Sequence, residues 1–426
     1  MKKTLIRGRL LVWSAAAEPR TDAALLVEDG AITAVGEDAL RLADGDTRSL
    51  DFPDQVIAPG LIDSHVHLMW SGEPERNGLN PLYAAIGQPT ATLAVQTVNN
   101  LRAALSRGIT TVRDCGGLTD VIIPVARAVR DGLLIGPRIV TGGAPITSTG
   151  GHCWFLENEA EGEDAVRRAV RRMHKAGADF IKVMATGGGT RGTNPRAAQY
   201  GLAELQAITH DAHRLGLRAS AHAHGSEGIE RCVAAGFDGI EHCTWLARDD
   251  EGEDYRPEIV ERIRDRRIFV CKTIAGFERW PLEEIEAAGP DHAGWAKFRT
   301  FRDMLAAGVT VIAGTDAGIT DTNFVDLART METMVGLGGM SPAEVLQSAT
   351  GTAAEALTLG DTIGTLEVDK RADCIVLDGD PLADVRALRH VRAVIRDGEV
   401  VARDGYVLAA PAACAADAHA SYSTSP

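Results

Sequence analysis

The 426-residue chain exceeds the usual size of one domain, which predicts either one large barrel or a barrel with a smaller domain. Its composition, 45% hydrophobic and 24% charged, excludes wholesale disorder. The formal net charge of -15 argues against nucleic acid or an anionic membrane surface as a main partner, because both are bound chiefly through basic patches. A small-molecule substrate is therefore expected.

The N-terminus superficially resembles a signal peptide, but Arg7 and Arg9 interrupt the stretch that would have to be apolar. No apolar run reaches the 18 residues that a membrane-spanning helix needs. The seven cysteines include no C-x-x-C pair, which favours reduced thiols over a disulfide scaffold. These features predict a cytoplasmic protein whose first residues form a strand.

Short strands separated by Gly and Asp turns are predicted at 5–13, 24–27, 31–35 and in a segment ending near Ile57. Short strands separated by turns are predicted again near the C-terminus. Each group of strands is too small to bury its own apolar face, so the two groups are expected to pair into one β-sandwich. The predicted β-sandwich segments are 1–57 and 361–408, and an Ala- and Ser-rich tail at 409–426 is expected to be a surface appendage or disordered.

Between residues 58 and 360, short apolar runs alternate with amphipathic helical stretches. The helical stretches 163–176 and 203–215 are closed by glycine, and Ser341 with Glu344 forms a capping box. Eight strand-helix units match the size and rhythm of a (β/α)8 TIM barrel, so the fold class is predicted as α/β. The candidate strand cores are 61–62, 110–113, 138–141, 180–184, 218–221, 239–241, 268–272 and 310–313.

Residues able to bind a metal recur where the predicted strands end. Because the loops after the strands build the site in such barrels, these residues are expected to share one rim. The first strand offers His65 and His67, which point to the same side because they lie two residues apart. A converging set of this kind predicts a metal site more readily than ordinary packing. The six residues are His65, His67, Lys182, His222, His242 and Asp316.

Each of these residues also has a simpler interpretation. The first His-x-His pair can merely close a strand, and His222 and His242 can be hydrogen-bonded core histidines. Asp316 can cap a turn or a helix. Lys182 lies in an apolar run where a free ammonium is costly, so it is expected to be neutral, ion-paired or covalently changed to a carbamate.

Other polar residues near the strand ends are candidates for binding the substrate. Arg191 and Asn194 follow the fourth strand and can anchor a carboxylate or an amide, although a Gly- and Thr-rich surface loop is an equal alternative. His222 and His224 lie on one face of an extended segment, so their spacing does not decide which of them is the metal ligand.

With these motifs the chain resembles the amidohydrolase superfamily. The resemblance rests on Pro-Gly-Leu-Ile-Asp-Ser-His-Val-His at 59–67, the lysine of the fourth strand, the histidines closing the next two strands, and Gly-Thr-Asp at 314–316. It extends over the whole chain, because 372–377 and 394–398 are similar to the closing β-sandwich of that family. Within the superfamily the chain is similar to prolidase-like dipeptidases and imidazolonepropionase-related enzymes.

The resemblance implies two divalent metal ions. His65 and His67 would bind one ion, His222 and His242 would bind the other, and Lys182, carbamylated by carbon dioxide, would bridge both. The nitrogen-rich ligands suit zinc best, and manganese or cobalt is compatible with them.

Asp316 is implied to bind the first ion and to act as general base and then general acid, while a metal-bridging hydroxide attacks the substrate. His152 is similar to a substrate-orienting histidine of the prolidase-like group, although an exposed loop histidine is the alternative. Family alignment favours His222 as the ligand and leaves His224 to contact the substrate. That group often carries Tyr at the position of His224, which puts the contact with a substrate carboxylate in doubt.

The predicted function is binuclear metal-dependent hydrolysis of the amide bond of a dipeptide or an N-acyl amino acid. One alternative keeps the metal centre but acts on a cyclic amide, an amidine or an aryl amide. Another is an inactive barrel that serves as a binding scaffold. A homo-oligomer is compatible with the sequence, and the substrate is not identified by it.

Overall fold

A computed structural model of the chain describes residues 2–75, 81–249, 252–274, 287, 289 and 293–408. The strands are β1 (Lys3–Leu11), β2 (Ala24–Glu28), β3 (Ala31–Val35), β4 (Arg48–Pro59), β5 (Leu61–Val66), β6 (Ile109–Asp114), β7 (Arg138–Thr141), β8 (Ile181–Met184), β9 (Ala219–Gly225), β10 (Gly239–Leu246), β11 (Phe269–Thr273), β12 (Val311–Gly314), β13 (Cys374–Leu377), β14 (Val391–Arg396), β15 (Glu399–Arg403) and β16 (Tyr406–Val407).

One short helix lies between β3 and β4, and the others connect the strands of the central region or precede the C-terminal strands. The α-helices are Glu37–Leu42, Pro81–Ala84, Thr90–Ser106, Thr119–Arg130, Glu163–Ala176, Leu202–Arg214, Ser226–Ala235, Pro257–Asp265, Ala293–Ala306, Leu327–Gly336, Pro342–Ser348 and Gly351–Ala356, and 3-10 turns cover Trp154–Leu156 and Val385–Arg389. The capping box at the start of Pro342–Ser348 is confirmed, since Ser341 accepts from the Glu344 amide.

The central strands, β5 to β12, are parallel and form two sheets. One sheet has the order β5-β6-β7, and the other has the order β12-β11-β10-β9-β8. Backbone bridges link the sheets on both sides, joining Val66 to Ala317 after β12 and Ile146 to Val183 of β8. Each predicted strand core lies on one of these strands or overlaps it, so the α/β class is confirmed.

The helices of this region bury one face against the parallel strands. The helix Glu163–Ala176 buries Val166, Ala169, Val170 and Met173, which recur at the spacing of a helical stripe. It ends at Gly177, whose φ of 100° is readily adopted by glycine. None of the helices in the described ranges is long and apolar enough to cross a membrane.

Strands from both chain ends join in one eight-stranded sheet, in the order β16-β15-β14-β13-β4-β1-β2-β3. At its centre β4 pairs in parallel with β1 and antiparallel with β13. Ile6, Ile57 and Val376 share a buried apolar cluster there, so side chains from the two ends pack together. The stretch before β13 forms turns, in which Asp369 has a φ of 72°. The tail at 409–426 lies outside the described residues.

Candidate active site

The carboxyl ends of the parallel strands surround a cavity of about 500 Å³. This volume is typical of a site for a small molecule. Strands β5, β8, β9 and β10 and the segments after β5 and β12 each contribute polar side chains to its wall. All six of the predicted metal ligands line it, namely His65, His67, Lys182, His222, His242 and Asp316.

Two imidazoles and one carboxylate meet at one side of the cavity. Asp316 Oδ1 lies 3.3 Å from His65 Nε2 and 3.2 Å from His67 Nε2. The other nitrogen of each ring is engaged elsewhere, since His65 Nδ1 lies 2.7 Å from Glu241 Oε2 and His67 Nδ1 lies 2.9 Å from the Gly116 carbonyl. Because Nδ1 donates in both rings, each Nε2 presents its lone pair toward Asp316.

Three more histidines cluster on the side of β9 and β10. The ring of His242 lies 4.5 Å from that of His222 and 4.6 Å from that of His224, between centroids. Ligand atoms of these three residues all lie within 4.8 Å of one another, so both His222 and His224 reach the position of one ion. Thr273 Oγ1 lies 2.6 Å from His242 Nδ1, and Thr244 Oγ1 lies 2.9 Å from His224 Nδ1. That His222 rather than His224 is the ligand stays a prediction.

Two oppositely charged groups in the cavity lack hydrogen bonds. Lys182 is 1% exposed, and its Nζ has no hydrogen-bond partner among the described residues. Asp316 Oδ1 makes no hydrogen bond in the described structure either, although two imidazoles lie close to it. Burying such groups without partners is costly. The donors in this cavity fit divalent cations. They are imidazole nitrogens, a free carboxylate oxygen and a lysine that can accept carbon dioxide.

The protonation states in the cavity also suit metal binding. Burial lowers the pKa of His65 to about 4 and lowers the pKa values of His222 and His242 well below their usual range. Burial alone would raise the pKa of Asp316, but His65 and His67 bring it down to about 2. Neutral imidazoles and an ionised carboxylate are the forms in which these groups bind metals.

A buried ion pair within the strands supports His65, one of the predicted metal ligands. Glu241, which precedes His242 on β10, is fully buried, and its carboxylate oxygens lie 2.7 and 2.8 Å from Nη2 of Arg113 on β6. Burial would raise the pKa of Glu241, but Arg113 and Lys182 hold it below its usual range. The resulting carboxylate accepts from Nδ1 of His65 and so determines which nitrogen of that ring faces the cavity.

This pair was not predicted from the sequence. Arg113 and Glu241 lie 128 positions apart, and neither belongs to a spacing motif. The only available sign was that each is a charged residue inside an apolar strand, where a partner is expected.

The backbone is unusual at the same strand ends. His242 and Asp316 both have a φ of 67°, and Cys243 and Trp245 have φ values of 48° and 57°. Non-glycine residues rarely adopt this left-handed region, which costs about 1–3 kcal/mol at each position. Such strain persists where the surrounding structure and the function of a site require it.

His152 lies inside the cavity and not in an exposed loop. It is 8% exposed, its ring centroid lies 4.5 Å from that of His222, and its Nδ1 lies 2.8 Å from Thr190 Oγ1. A Cβ atom at Gly188 would lie 2.6 Å from His152 Nε2, so the turn after β8 needs glycine for this close approach. Burial lowers the pKa of His152 to about 3, which keeps the ring neutral.

The remaining candidates for substrate contact differ in position. His224 lines the cavity, whereas Arg191 and Asn194 are not among its lining residues. Arg191 is exposed, and its backbone amide donates to Tyr83 Oη at 2.6 Å. Asn194 Oδ1 accepts from the Arg196 amide at 3.0 Å, as in a local turn. A contact of Arg191 or Asn194 with the substrate stays a prediction.

Much of the remaining wall is apolar. Trp70 packs against His67 with 4.6 Å between ring centroids, and Met184 and Phe298 line the cavity further along. Lys272 of β11 also lines it and was not predicted from the sequence as a site residue. The cavity thus combines a polar cluster with room for an apolar group of a ligand.

Comparison with known proteins extends over almost the whole chain. The model of the amidohydrolase family matches residues 56–401. Ochratoxinase of Aspergillus niger is 29% identical over 431 aligned positions, covering 92% of this chain and 85% of that protein. Imidazolonepropionase of Salinispora tropica is 25% identical over 416 positions, covering 92% and 96%.

A similar solved structure is that of a Xaa-Pro dipeptidase with methionine bound in its active site. It superposes with a TM-score of 0.81 at 27% identity and covers 93% of this chain and 99% of that one. The α/β architecture is accordingly of the TIM-barrel type.

Proposed function

Because this chain belongs to the amidohydrolase family and is a hydrolytic enzyme, we propose that it is a binuclear metal-dependent hydrolase of an amide bond in a small substrate. A dipeptide or an N-acyl amino acid is the proposed substrate class. The observation that carries the proposal is that imidazoles meet at Asp316 Oδ1 and share one cavity with Lys182. Lys182 Nζ and Asp316 Oδ1 both lack hydrogen bonds within the described ranges. The inactive scaffold is not retained as an alternative.

In this proposal His65 and His67 would hold one ion, His222 and His242 would hold the other, and Lys182, as a carbamate, would supply ligand oxygens to both. Removing the ammonium charge of Lys182 in this way turns a costly buried cation into a ligand. Zinc suits the imidazole nitrogens. When bound, two such ions make water nucleophilic near neutral pH and polarise the scissile carbonyl.

Asp316 is the proposed proton carrier. Its carboxylate is ionised at neutral pH, and its Oδ1 lies 3.3 and 3.2 Å from Nε2 of His65 and of His67. It takes the proton of the attacking water and delivers it to the leaving nitrogen, acting first as general base and then as general acid. Glu241 and Arg113 position His65 for this arrangement and do not touch the substrate.

His152 and His224 are proposed to bind the substrate. Both rings line the cavity beside His222, at 4.5 and 4.6 Å between centroids. Burial lowers the pKa of each ring, to about 3 for His152 and about 4 for His224, so both are neutral. A neutral imidazole can donate one hydrogen bond to a substrate carbonyl without a net charge.

A cyclic amide is the second candidate substrate. It is favoured by the similarity to imidazolonepropionase and by His224, which lies where prolidase-like enzymes often carry Tyr. It uses the same metal ligands and the same Asp316, so the two candidates differ only in the part of the cavity that surrounds the substrate.

The domain organisation also forms part of the proposal. The eight parallel strands are taken to close a (β/α)8 barrel over 58–360, and the segments 1–57 and 361–408 are taken to form a small β-sandwich domain. Two observations support this division. Backbone bridges join the two parallel sheets at both junctions, and both chain ends share one eight-stranded sheet.

Metal content and substrate turnover test the function directly. Protein supplied with zinc and bicarbonate is expected to retain about two metal ions per chain, and well under one ion would contradict the binuclear centre. The loaded enzyme is then assayed against dipeptides, N-acyl amino acids and cyclic amides. We expect turnover that a chelator abolishes and added zinc restores. Lack of turnover with every amide would contradict the proposed function.

A further inference from the structure

A second buried lysine lines the cavity and has no part in the proposed chemistry. Lys272 lies on β11 and is 6% exposed. Its neighbour Thr273 contacts the ring of His242, so the lysine lies close to the metal ligands along the strand. Within the part of the chain that the structure describes, the Lys272 ammonium forms no hydrogen bond and no ion pair, and burial lowers its pKa.

Cys243 and Glu253 act on the charge of Lys272, but neither forms an ion pair with its ammonium. Cys243 is buried and offers a thiol, which does not form an ion pair with the Lys272 ammonium. Glu253 lines the same cavity, but its carboxylate lies 3.2 Å from Arg299 and is paired with that guanidinium.

The wall around Lys272 suggests what would compensate its charge. An ammonium in a buried wall without a counter-ion is costly, and an anionic group of a ligand removes that cost by forming an ion pair. The flanking surface is apolar, because Leu246, Ile274 and Phe298 line the same cavity. A carboxylate attached to an apolar group matches both features of this wall.

We propose that Lys272 binds the free carboxylate of the substrate, so that the substrate is an amide of an apolar amino acid, such as an N-acyl phenylalanine or a dipeptide with an apolar C-terminal residue. This inference deepens the proposed amide hydrolysis and rests on it for the reaction, but not for the binding. Lys272 takes the role that the sequence suggested for Arg191 or Asn194, neither of which is a lining residue of the cavity.

Kinetics with a matched pair of compounds test the assignment. The zinc-loaded full chain is assayed with N-acetyl-L-phenylalanine and with neutral N-acetyl-L-phenylalaninol, by the release of acetate. The wild type is expected to prefer the acid in kcat/KM by about tenfold to a hundredfold. Lys272→Met is expected to reduce this preference to about twofold or less, through a higher KM for the acid, and Lys272→Arg is expected to restore part of it.

A control variant separates loss of the local charge from general effects. Lys175→Met removes the same charge from an exposed position on the helix Glu163–Ala176 and is expected to leave the preference for the acid unchanged. If Lys272→Met instead lowers kcat/KM for both compounds by the same factor, the lysine has a structural role and the proposal is overturned.

The affinities of the same two compounds, measured by calorimetry, test the Lys272 proposal separately from the proposed hydrolysis. The wild type is expected to bind the acid at least about tenfold more tightly than the alcohol, and Lys272→Met is expected to bind them equally. Tighter binding of the acid that Lys272→Met abolishes, together with no turnover of these two compounds or of any other amide in the panel, would contradict the proposed hydrolysis and support Lys272 as the carboxylate site. Equal affinity of the wild type for both compounds, including binding of neither, overturns the Lys272 proposal without needing any variant.

Discussion

The eight-stranded sheet that both chain ends form, here called the terminal sheet, differs from the cavity at the strand ends in how its charged side chains are paired and exposed. In the terminal sheet Arg7 and Asp51 pair at 2.5 Å, with side chains 49% and 47% exposed. In the cavity Lys182 is 1% exposed and has no ion-pair or hydrogen-bond partner among the residues described. Exposed pairs contribute little to stability, whereas an unpaired buried charge opposes folding. Buried charges without partners, which are costly, therefore mark the functional part of the molecule, whereas exposed ion pairs, which are common, do not.

The pair of Arg113 and Glu241 lies between these extremes. It is as buried as Lys182, yet both of its members are hydrogen-bonded, and Arg113 Nε also donates to the Ser64 carbonyl at 2.6 Å. The pair is therefore expected to support the fold and the orientation of His65, whereas Lys182 is expected to act in binding the metal ions. Four substitutions test this distinction.

The largest effect is expected from Lys182→Ala. If this lysine is the metal bridge, its removal should lower the metal content and reduce hydrolysis by about 10,000-fold or more, because the activated water is lost. Metal analysis and turnover measure the effect, and an added short carboxylic acid should restore part of both. Unchanged metal content without any rescue would instead favour a structural lysine.

Asp316→Asn is expected to reduce kcat by about a thousandfold, because the amide cannot accept the proton of the attacking water. The fold should be retained and much of the metal should stay bound, as unfolding and metal analysis would show. Asp131→Asn, at an exposed position after the helix Thr119–Arg130, provides the matched control. Unchanged turnover in Asp316→Asn would remove this residue from the mechanism.

Arg113→Met is expected to lower the free energy of unfolding by about 3–5 kcal/mol, since it leaves the Glu241 carboxylate buried without its cation. Chemical denaturation measures the loss. The double variant with Glu241→Gln should recover part of it, because the uncompensated charge is then absent. A loss below about 1 kcal/mol would mean that this buried pair contributes no more to stability than the exposed pairs of the terminal sheet.

The smallest effect is expected from Arg7→Met in the terminal sheet. Water screens this pair, so the free energy of unfolding should fall by no more than about 1 kcal/mol. A double-mutant cycle with Asp51→Asn isolates the pair, and its coupling should shrink as the salt concentration rises. A coupling as large as that of Arg113 with Glu241 would remove the contrast between the two regions.

The sequence by itself determined the parallel strands and which of their ends carry the predicted metal ligands. Apolar runs, glycine caps and the capping box at Ser341 are local patterns, and local patterns are readable along a chain. The pair His65 and His67 follows the same logic, because residues two apart on a strand share a face. His222, His242 and Asp316 were found because they close strands whose ends share one side of the parallel fold.

Only the tertiary structure decided how these ends are supported and what lines the cavity. The contact of Arg113 with Glu241 joins distant segments, and the uncompensated charge of Lys272 depends on which groups lie around it in space. The left-handed backbone at His242 and Asp316 is likewise imposed by the surrounding packing. Local sequence patterns report which side of an element is buried, whereas partners, charge balance and strain arise from contacts between segments far apart in the chain.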